Sequence, residues 1–376
     1  MMRVVHCIYD DPRNPWVGGG GAVRLHEIYR RLAGRLDVTL VTGRFPGARD
    51  DEGDGFRSVR LGAPSPYAWS RLTYGRAATR LLRTAAYDAA VFDFSAYTPI
   101  RIPAGRPVGV MLGQMAGPTA RVRWGRVPGA AVGAWERMQL RSARWVAAVS
   151  PWLLEEARPL LAPGAETDVI GAGVDERFFR IERAERDFLL YYGRFDVFQK
   201  GIDVLLDAMA ILVRNRPELT LKVAGRGKDA QRIAAMIAER GLRSGVELIA
   251  NPTSDAVHAL MAGALAMVMP SRFEGFGMVA AEAMAAGVPV VAAGVDAVPD
   301  VVGKDGGVLV PREDAAATAN AVAALLDAPD RRAALSASAR VRARRWSWDE
   351  VARDHLAWLE RISQGRRTSP SPSGSR

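Results

Sequence analysis

The chain has 376 residues, enough for two domains of ordinary size, and its 49% apolar and 24% charged residues are those of a soluble globular protein. Its one cysteine, Cys7 in the first apolar run, excludes disulfides within the chain and points to the cytosol. A formal charge of +10, carried almost wholly by arginine, leaves nucleic acid, an anionic membrane surface and phosphorylated substrates as partners to weigh, whereas no apolar run approaches the roughly 20 residues that cross a bilayer and MMRVVHCIYDD lacks the apolar core and cleavage site of a leader.

Val4–Tyr9 reads as a first strand, apolar enough to be buried on both faces. Four glycines, Gly18–Gly21, then lead into a helical pattern on Val23, Ile28, Leu32 and Leu36. A glycine loop joining strand one to helix one lies where a parallel α/β sheet places its ligand crevice, though a flexible turn accounts for the glycines as well. Val38–Thr42 and Phe56–Leu61 read as strands around an acidic, Gly-rich loop over 44–55, and Tyr67–Ala86 as a helix. Ala90–Asp93, Val108–Leu112 and Trp145–Val149 are further short strands; Ser150 caps and Pro151 opens a helix after the last, and Val169–Gly173 with the segment GVDERFF closes the half. Between Arg121 and Arg144 six arginines face one acid, Glu136, with Trp124, Val127 and Trp135 interleaved. Such a surface fits an anionic membrane; a solvated helix face explains the same residues. No base-reading signature accompanies it, so nucleic acid is not expected.

The second half repeats the alternation. Phe188–Tyr192 is a strand followed by Arg194 and by Lys200, which opens a helix with Gly201; the pair suits a diphosphate, the arginine as a fork and the lysine as a point charge, although two exposed cations would look alike. After the strand Leu219–Ala224, Gly225, Gly227 and Ala230 form G-x-G-x-x-A with Glu247 on the next strand, the outline of a dinucleotide site. His258, on the helix that follows, reads as surface or packing. Pro270–Ala292 carries the most chemistry. Here an apolar strand leads into a loop with Gly275 and Gly277, a helix from Met278 stopped by Gly287, and a β-branched run after Pro289. The free N–H groups at that helix start favour an anion. Glu274 lies at its mouth and Glu282 within its first turns, where a carboxylate among alanines and Met284 needs a partner. Gly307–Val310 is a last strand, and three helices over 314–326, 329–345 and 347–362 precede a polar tail.

This unit, S-x-F-E-G-F-G followed by E-A-M-A-x-G-x-P-V-V, resembles the Glu-x7-Glu signature of the retaining family-4 glycosyltransferases, whose fold is GT-B. The Gly-Arg…Lys-Gly element at 193–201 and I-x-x-G-V-D-x-x-F-F at 170–179 resemble further family elements, the second the link between domains. The resemblance implies an α/β protein of two Rossmann-like domains facing each other across a cleft, with a C-terminal helix crossing back to the N-terminal domain. It would divide the chain into an acceptor-binding domain at 1–176, a nucleotide-sugar domain at 187–345, the crossover helix at 346–363 and a disordered tail at 364–376. Implied roles follow the motif positions: Arg194, Lys200 and Glu274 catalytic, the cations on the departing diphosphate and Glu274 on a donor-sugar hydroxyl. Glu282 would hold the ribose, Asn251 the base, and Gly20, Gly21, Gly193, Gly225, Gly275, Phe276, Gly277, Met278 and Val279 the rest of the donor. Gly19, Arg24 and Gln114 would face the acceptor. The implied reaction moves a sugar from a nucleoside-diphosphate sugar, UDP- or GDP-linked, to a glycan, lipid-linked or small-molecule acceptor with retention, using no enzymic nucleophile, metal or cofactor. The expected location is the cytoplasm, with peripheral contact at the inner membrane face.

One position departs from the family. Relatives often carry a histidine after the strand at 108–112, where this chain has Gly113 and Gln114, and none of His6, His26, His258 and His355 falls there. Gln114 donates a hydrogen bond but no proton at neutral pH. Three other readings stand beside the transferase. The glycines at 225–227 support an NAD-dependent Rossmann enzyme; a sugar-phosphate hydrolase or epimerase on the same fold, and a non-catalytic nucleotide-sugar binder, are the others.

Overall fold

The computed structural model describes residues 1–16, 20–53, 55–117, 120–121 and 125–368. The chain forms two compact units, unit 1 from Met1–Ala172 with Trp348–Arg376 and unit 2 from Gly173–Ser347. Each is a Rossmann-like α/β domain built on a parallel sheet. No helix among the described residues is long and apolar enough to cross a membrane.

Unit 1 carries strands β1 (Met2–Cys7), β2 (Leu36–Gly43), β3 (Asp51–Gly53), β4 (Phe56–Leu61), β5 (Ala89–Asp93), β6 (Val108–Leu112), β7 (Trp145–Ala148) and β8 (Glu166–Val169). They lie in the order β3-β4-β2-β1-β5-β6-β7-β8, parallel throughout except for β3 against β4. Strand order therefore reverses between β1 and β5, and such a reversal opens a crevice at the carboxyl ends of the strands. The central strands read as continuous apolar runs because helices cover both faces: every residue of β6 and β7 is buried.

Both sheet edges hold a strand that the sequence does not announce. The 44–55 loop contains β3, a three-residue antiparallel edge strand. The last strand, Glu166–Val169, has no counterpart in the sequence reading: as an edge strand it needs no apolar run, and ETDV has none.

The final helix, Trp348–Thr368, belongs to unit 1, and Trp358, Leu359 and Ile362 on it are fully buried. A Cβ at Gly109 of β6 would come within 2.6 Å of Ile362 and 2.8 Å of Trp358, so a glycine there lets helix and sheet touch. Burying Leu359 and Ile362 contributes roughly 2–3 kcal/mol each. The helix passes residue 363 and reaches Thr368, with Gly365 against Trp145; only 369–376 of the expected disordered tail lie outside the described residues.

Unit 2 carries β9 (Phe188–Arg194), β10 (Thr220–Arg226), β11 (Val246–Ala250), β12 (Ala266–Met269), β13 (Val290–Ala293) and β14 (Gly307–Val310), all parallel, in the order β11-β10-β9-β12-β13-β14. This is the doubly wound 3-2-1-4-5-6 order, with its reversal between β9 and β12. Two of its helices start on side-chain caps: Thr253 accepts from the Ala256 N–H and Asp314 from the Ala317 N–H.

Candidate functional site

The unit 2 site forms where β9 and β12 part. Arg194 is the last residue of β9, and Pro270 follows β12 directly, so the cation and the Glu274 loop leave adjacent strands at the same edge. Lys200 does not open the next helix as its spacing suggested. It ends a separate one-turn helix, Val197–Lys200, and Gly201 breaks the chain with φ 63° before the helix Ile202–Leu212 begins. The break is enforced by contact, since a Cβ at Gly201 would sit 2.0 Å from the Pro270 carbonyl oxygen. That close approach seats Lys200 against the Glu274 loop.

Lys200 Nζ donates to Glu274 Oε1 at 2.5 Å, and the two side chains are only 12% and 8% exposed. Ser271 Oγ donates to the same oxygen at 2.9 Å, and the Glu274 N–H donates to Asp296 Oδ2 at 2.8 Å. Arg194 stays exposed and donates to Gln199 Oε1 at 3.3 Å; Gln199 Nε2 in turn donates to the Phe273 carbonyl at 3.4 Å. Behind them Arg272 clamps the loops. It forks onto Asp203 at 2.8 and 2.9 Å, reaches Glu313 at 2.7 Å, and donates to the Phe198 carbonyl of the one-turn helix at 3.0 Å. Two cations and a carboxylate are thus held in place by neighbours that do not neutralise Arg194. A preorganised field of this kind stabilises charge developing on an anion.

The helix Met278–Ala285 starts on Gly277, whose φ of 91° favours glycine, and its first N–H groups have no carbonyl within the helix to donate to. Phe276 is buried edge-on against Trp346 at 5.6 Å, supporting the turn from below. Glu282 is half-buried, and its carboxylate has no hydrogen bond among the described residues. Burial pushes it up to about 8, with Asp175 adding to the shift. An unpartnered, neutral carboxyl one turn into a helix can both donate to and accept from a ligand's hydroxyls.

Gly193 and Gly225 stand opposite each other on β9 and β10. A Cβ at Gly225 would meet the Gly193 carbonyl oxygen at 1.8 Å, and one at Gly227 the Phe195 oxygen at 2.6 Å, so both positions need glycine for the close approach of neighbouring backbone. Glu247, the acid of the dinucleotide outline, is paired with Lys222 at 3.1 Å. Asn251, with φ 53°, donates its N–H to the Gly225 carbonyl at 2.7 Å at the end of β11. His258 lies edge-on to Phe178 at 5.1 Å. Among the described residues, no group of three or more His, Cys, Asp or Glu gathers to hold a metal.

In unit 1, Gly20 and Gly21 form the first turn of the helix Gly20–Arg31; Gly19 lies outside the described residues. Arg24 is buried, donating to the Gly171 carbonyl at 3.3 Å and to Met111 Sδ at 3.7 Å, and burial pushes its guanidinium down. Gln114 follows β6 and is exposed. Sequence reasoning missed Gln199, Ser271, Asp296 and the Arg272 clamp. Ser271 and Arg272 sit inside the motif and were in reach; Asp296 arrives from the loop after β13 and carries no local signal. It also missed the buried His6, Tyr29, Asp93 and His355 of unit 1, which meet only in the fold.

A family model described as Glycosyl transferases group 1 matches residues 174–342, and one described as Glycosyltransferase Family 4 matches residues 18–178. A D-inositol 3-phosphate glycosyltransferase of Jonesia denitrificans is 32% identical over 216 residues, 54% of this chain and 51% of that protein. An MMP alpha-(1->4)-mannosyltransferase of Mycolicibacterium hassiacum is 31% identical over 253 residues, 64% of this chain and 61% of that protein. The chain thus spans between half and two-thirds of the length of these curated relatives. Among solved structures, a sucrose-phosphate synthase from Thermosynechococcus elongatus superposes with a TM-score of 0.81 over 97% of this chain and 100% of that one, at 20% identity.

Proposed function

Because the chain belongs to the family-4, group 1 glycosyltransferases with the GT-B fold, we propose that it transfers a sugar from a nucleoside-diphosphate sugar to a hydroxyl acceptor with retention at the anomeric carbon. The observation that carries this reading is the set at the β9/β12 edge: exposed Arg194, the Lys200–Glu274 pair, and the open start of the helix Met278–Ala285. Arg194 and Lys200 stabilise the charge growing on the departing diphosphate, and the N–H groups of Met278 and Val279 add to it. These cations stand where a divalent metal would otherwise act, so the reaction runs without one. Glu282 accepts from the ribose hydroxyls. Glu274, held by Lys200 and Ser271, orients a hydroxyl of the donor sugar. No side chain here is free to act as a nucleophile without losing that role, and the leaving phosphate takes the acceptor's proton on the same face.

The same reading places a lipid-linked or glycan acceptor near an anionic membrane, with unit 1 in peripheral contact. Arg126, Arg137 and Arg141 are exposed with Val127, itself 81% exposed. Glu136, the one acid in that stretch, is turned inward to accept from the Ala116 and Gly117 N–H groups at 2.6 and 3.0 Å.

The test is a melting panel with UDP, GDP, ADP and NAD. A ligand at one hundred times its dissociation constant stabilises by about 2.7 kcal/mol, a shift of several degrees. A shift with one nucleoside diphosphate that Arg194→Ala removes supports the transferase and names the base. A shift with NAD alone, or release of free sugar with no transfer to any acceptor, overturns it.

A further inference from the structure

Unit 1 has its own strand-order reversal, between β1 and β5, and a buried chain of polar groups ends there. His355 Nε2 lies 3.2 Å from Tyr29 Oη, which lies 2.6 Å from His6 Nδ1; His6 Nε2 lies 2.9 Å from Asp93 Oδ1. Burial pushes both histidines down, so both rings are neutral. With neutral rings, and Asp93 Oδ1 as the acceptor at the end, the protons take one direction. His355 donates to Tyr29, Tyr29 to His6, and His6 to Asp93. His355 Nδ1, which has no partner, is then a bare lone pair rather than an orphaned N–H.

Three buried polar side chains hold one carboxylate. His6, Tyr29 and His355 are sealed from solvent, while Asp93 is 18% exposed. Its second oxygen has no hydrogen bond among the described residues and faces Gly21, where a Cβ would lie 3.7 Å from it. A network that directs its donors to one carboxyl group and leaves that group's second oxygen at the open end of a sheet serves something that arrives from outside. A carboxyl oxygen with no partner accepts from a donor, and the donors a carbohydrate presents are hydroxyls.

We propose that Asp93 binds a hydroxyl of the acceptor, that the acceptor is a polyol (a sugar or cyclitol), and that His6 and Tyr29 are positioning residues that fix the carboxylate. The proposal rests on the transferase reading for the word acceptor, but polyol binding at unit 1 is read without any donor.

The test uses the full chain, with D-glucose, D-mannose and myo-inositol as probes followed by saturation-transfer NMR. Asp93→Asn keeps the shape and removes the charge. The expected result is at least a tenfold loss of probe binding, with the nucleoside-diphosphate melting shift unchanged. Tyr29→Phe removes the hydroxyl that orients His6 and weakens probe binding several-fold, again with that shift unchanged; a purely structural role would lower the melting temperature and leave both affinities alone. Should Asp93→Asn fail to fold, Asp93→Ser is measured instead, and failure of both makes the carboxylate structural and ends the proposal. Equal probe binding in wild type and variant, or no binding of any probe to the wild type, overturns it too. Loss of the nucleotide shift in the wild type itself would sink the donor reading and leave this one to stand or fall on the probes.

Discussion

The two units share a topology and differ in how they furnish the same place in it. At the β9/β12 reversal of unit 2 the charged groups stand close in sequence and reach outward, with Arg194 exposed and Glu282 unpartnered. At the β1/β5 reversal of unit 1 the polar groups come from residues 6, 29, 93 and 355, and all but the last oxygen of the chain is enclosed. Charge divides in the same way. Unit 1 holds 28 basic against 19 acidic residues and unit 2 holds 23 against 22, so nearly all of the net +10 lies in unit 1. A parallel sheet fixes where a ligand crevice opens but not its chemistry, which is left to the residues at the strand ends.

The sharpest way to break this contrast is at Lys200. Lys200→Ala is expected to lower kcat by about 100- to 1,000-fold, the usual cost of one charge-stabilising donor, and to leave polyol binding at unit 1 intact. Steady-state kinetics beside probe NMR measures both, and a loss shared by the two sites would mean that the units do not act separately.

Glu282 gives a smaller effect with a defined direction. Burial pushes its carboxyl up to about 8 in the fold from the ordinary 4.5. Between those values the unfolded state has already lost its proton while the folded state keeps it. Stability from this group is therefore whole below pH 4.5 and falls away up to about pH 8, by up to roughly 5 kcal/mol. Glu282→Gln should flatten that fall, so the variant gains on wild type as pH rises from 5 to 9 in melting curves. Parallel curves would show that the carboxyl is not held in its neutral form.

The smallest effect tests whether a glycine serves packing or ligand. Gly225→Ala is expected to cost about 1–3 kcal/mol in urea unfolding, because its Cβ meets the Gly193 oxygen. Nucleotide affinity of the folded variant should stay within about twofold.

The contrast also explains what the sequence made legible. The unit 2 site was readable because Pro270–Ala292 packs strand, loop, helix and both glutamates into 23 residues, and Arg194 and Lys200 lie in a second short run. What failed there was local. Lys200 was assigned to the following helix because nothing in the sequence reveals that Gly201 must pass 2.0 Å from the Pro270 oxygen. The edge strands β3 and β8 were missed because half-solvated strands carry no apolar period. His6 and His355 were noted only as falling outside an expected position. Their hydrogen bonds, through a tyrosine, join residues as far as 326 positions apart and leave no spacing to read.

The final helix has a consequence for synthesis. Trp358, Ile362 and His355 complete unit 1, yet the ribosome makes them only after all of unit 2. At about 5–20 residues per second, the first half of the chain waits on the order of ten seconds or more after it has emerged. During that wait Gly109 and the strands beside it present bare apolar surface, and Tyr29 has one hydrogen-bond partner instead of two. Unit 2, which is continuous in sequence, is free to fold first. Unit 1 is thus completed only once all of unit 2 has been made, and the face that Trp358 and Ile362 cover is where a chaperone would be expected to hold on.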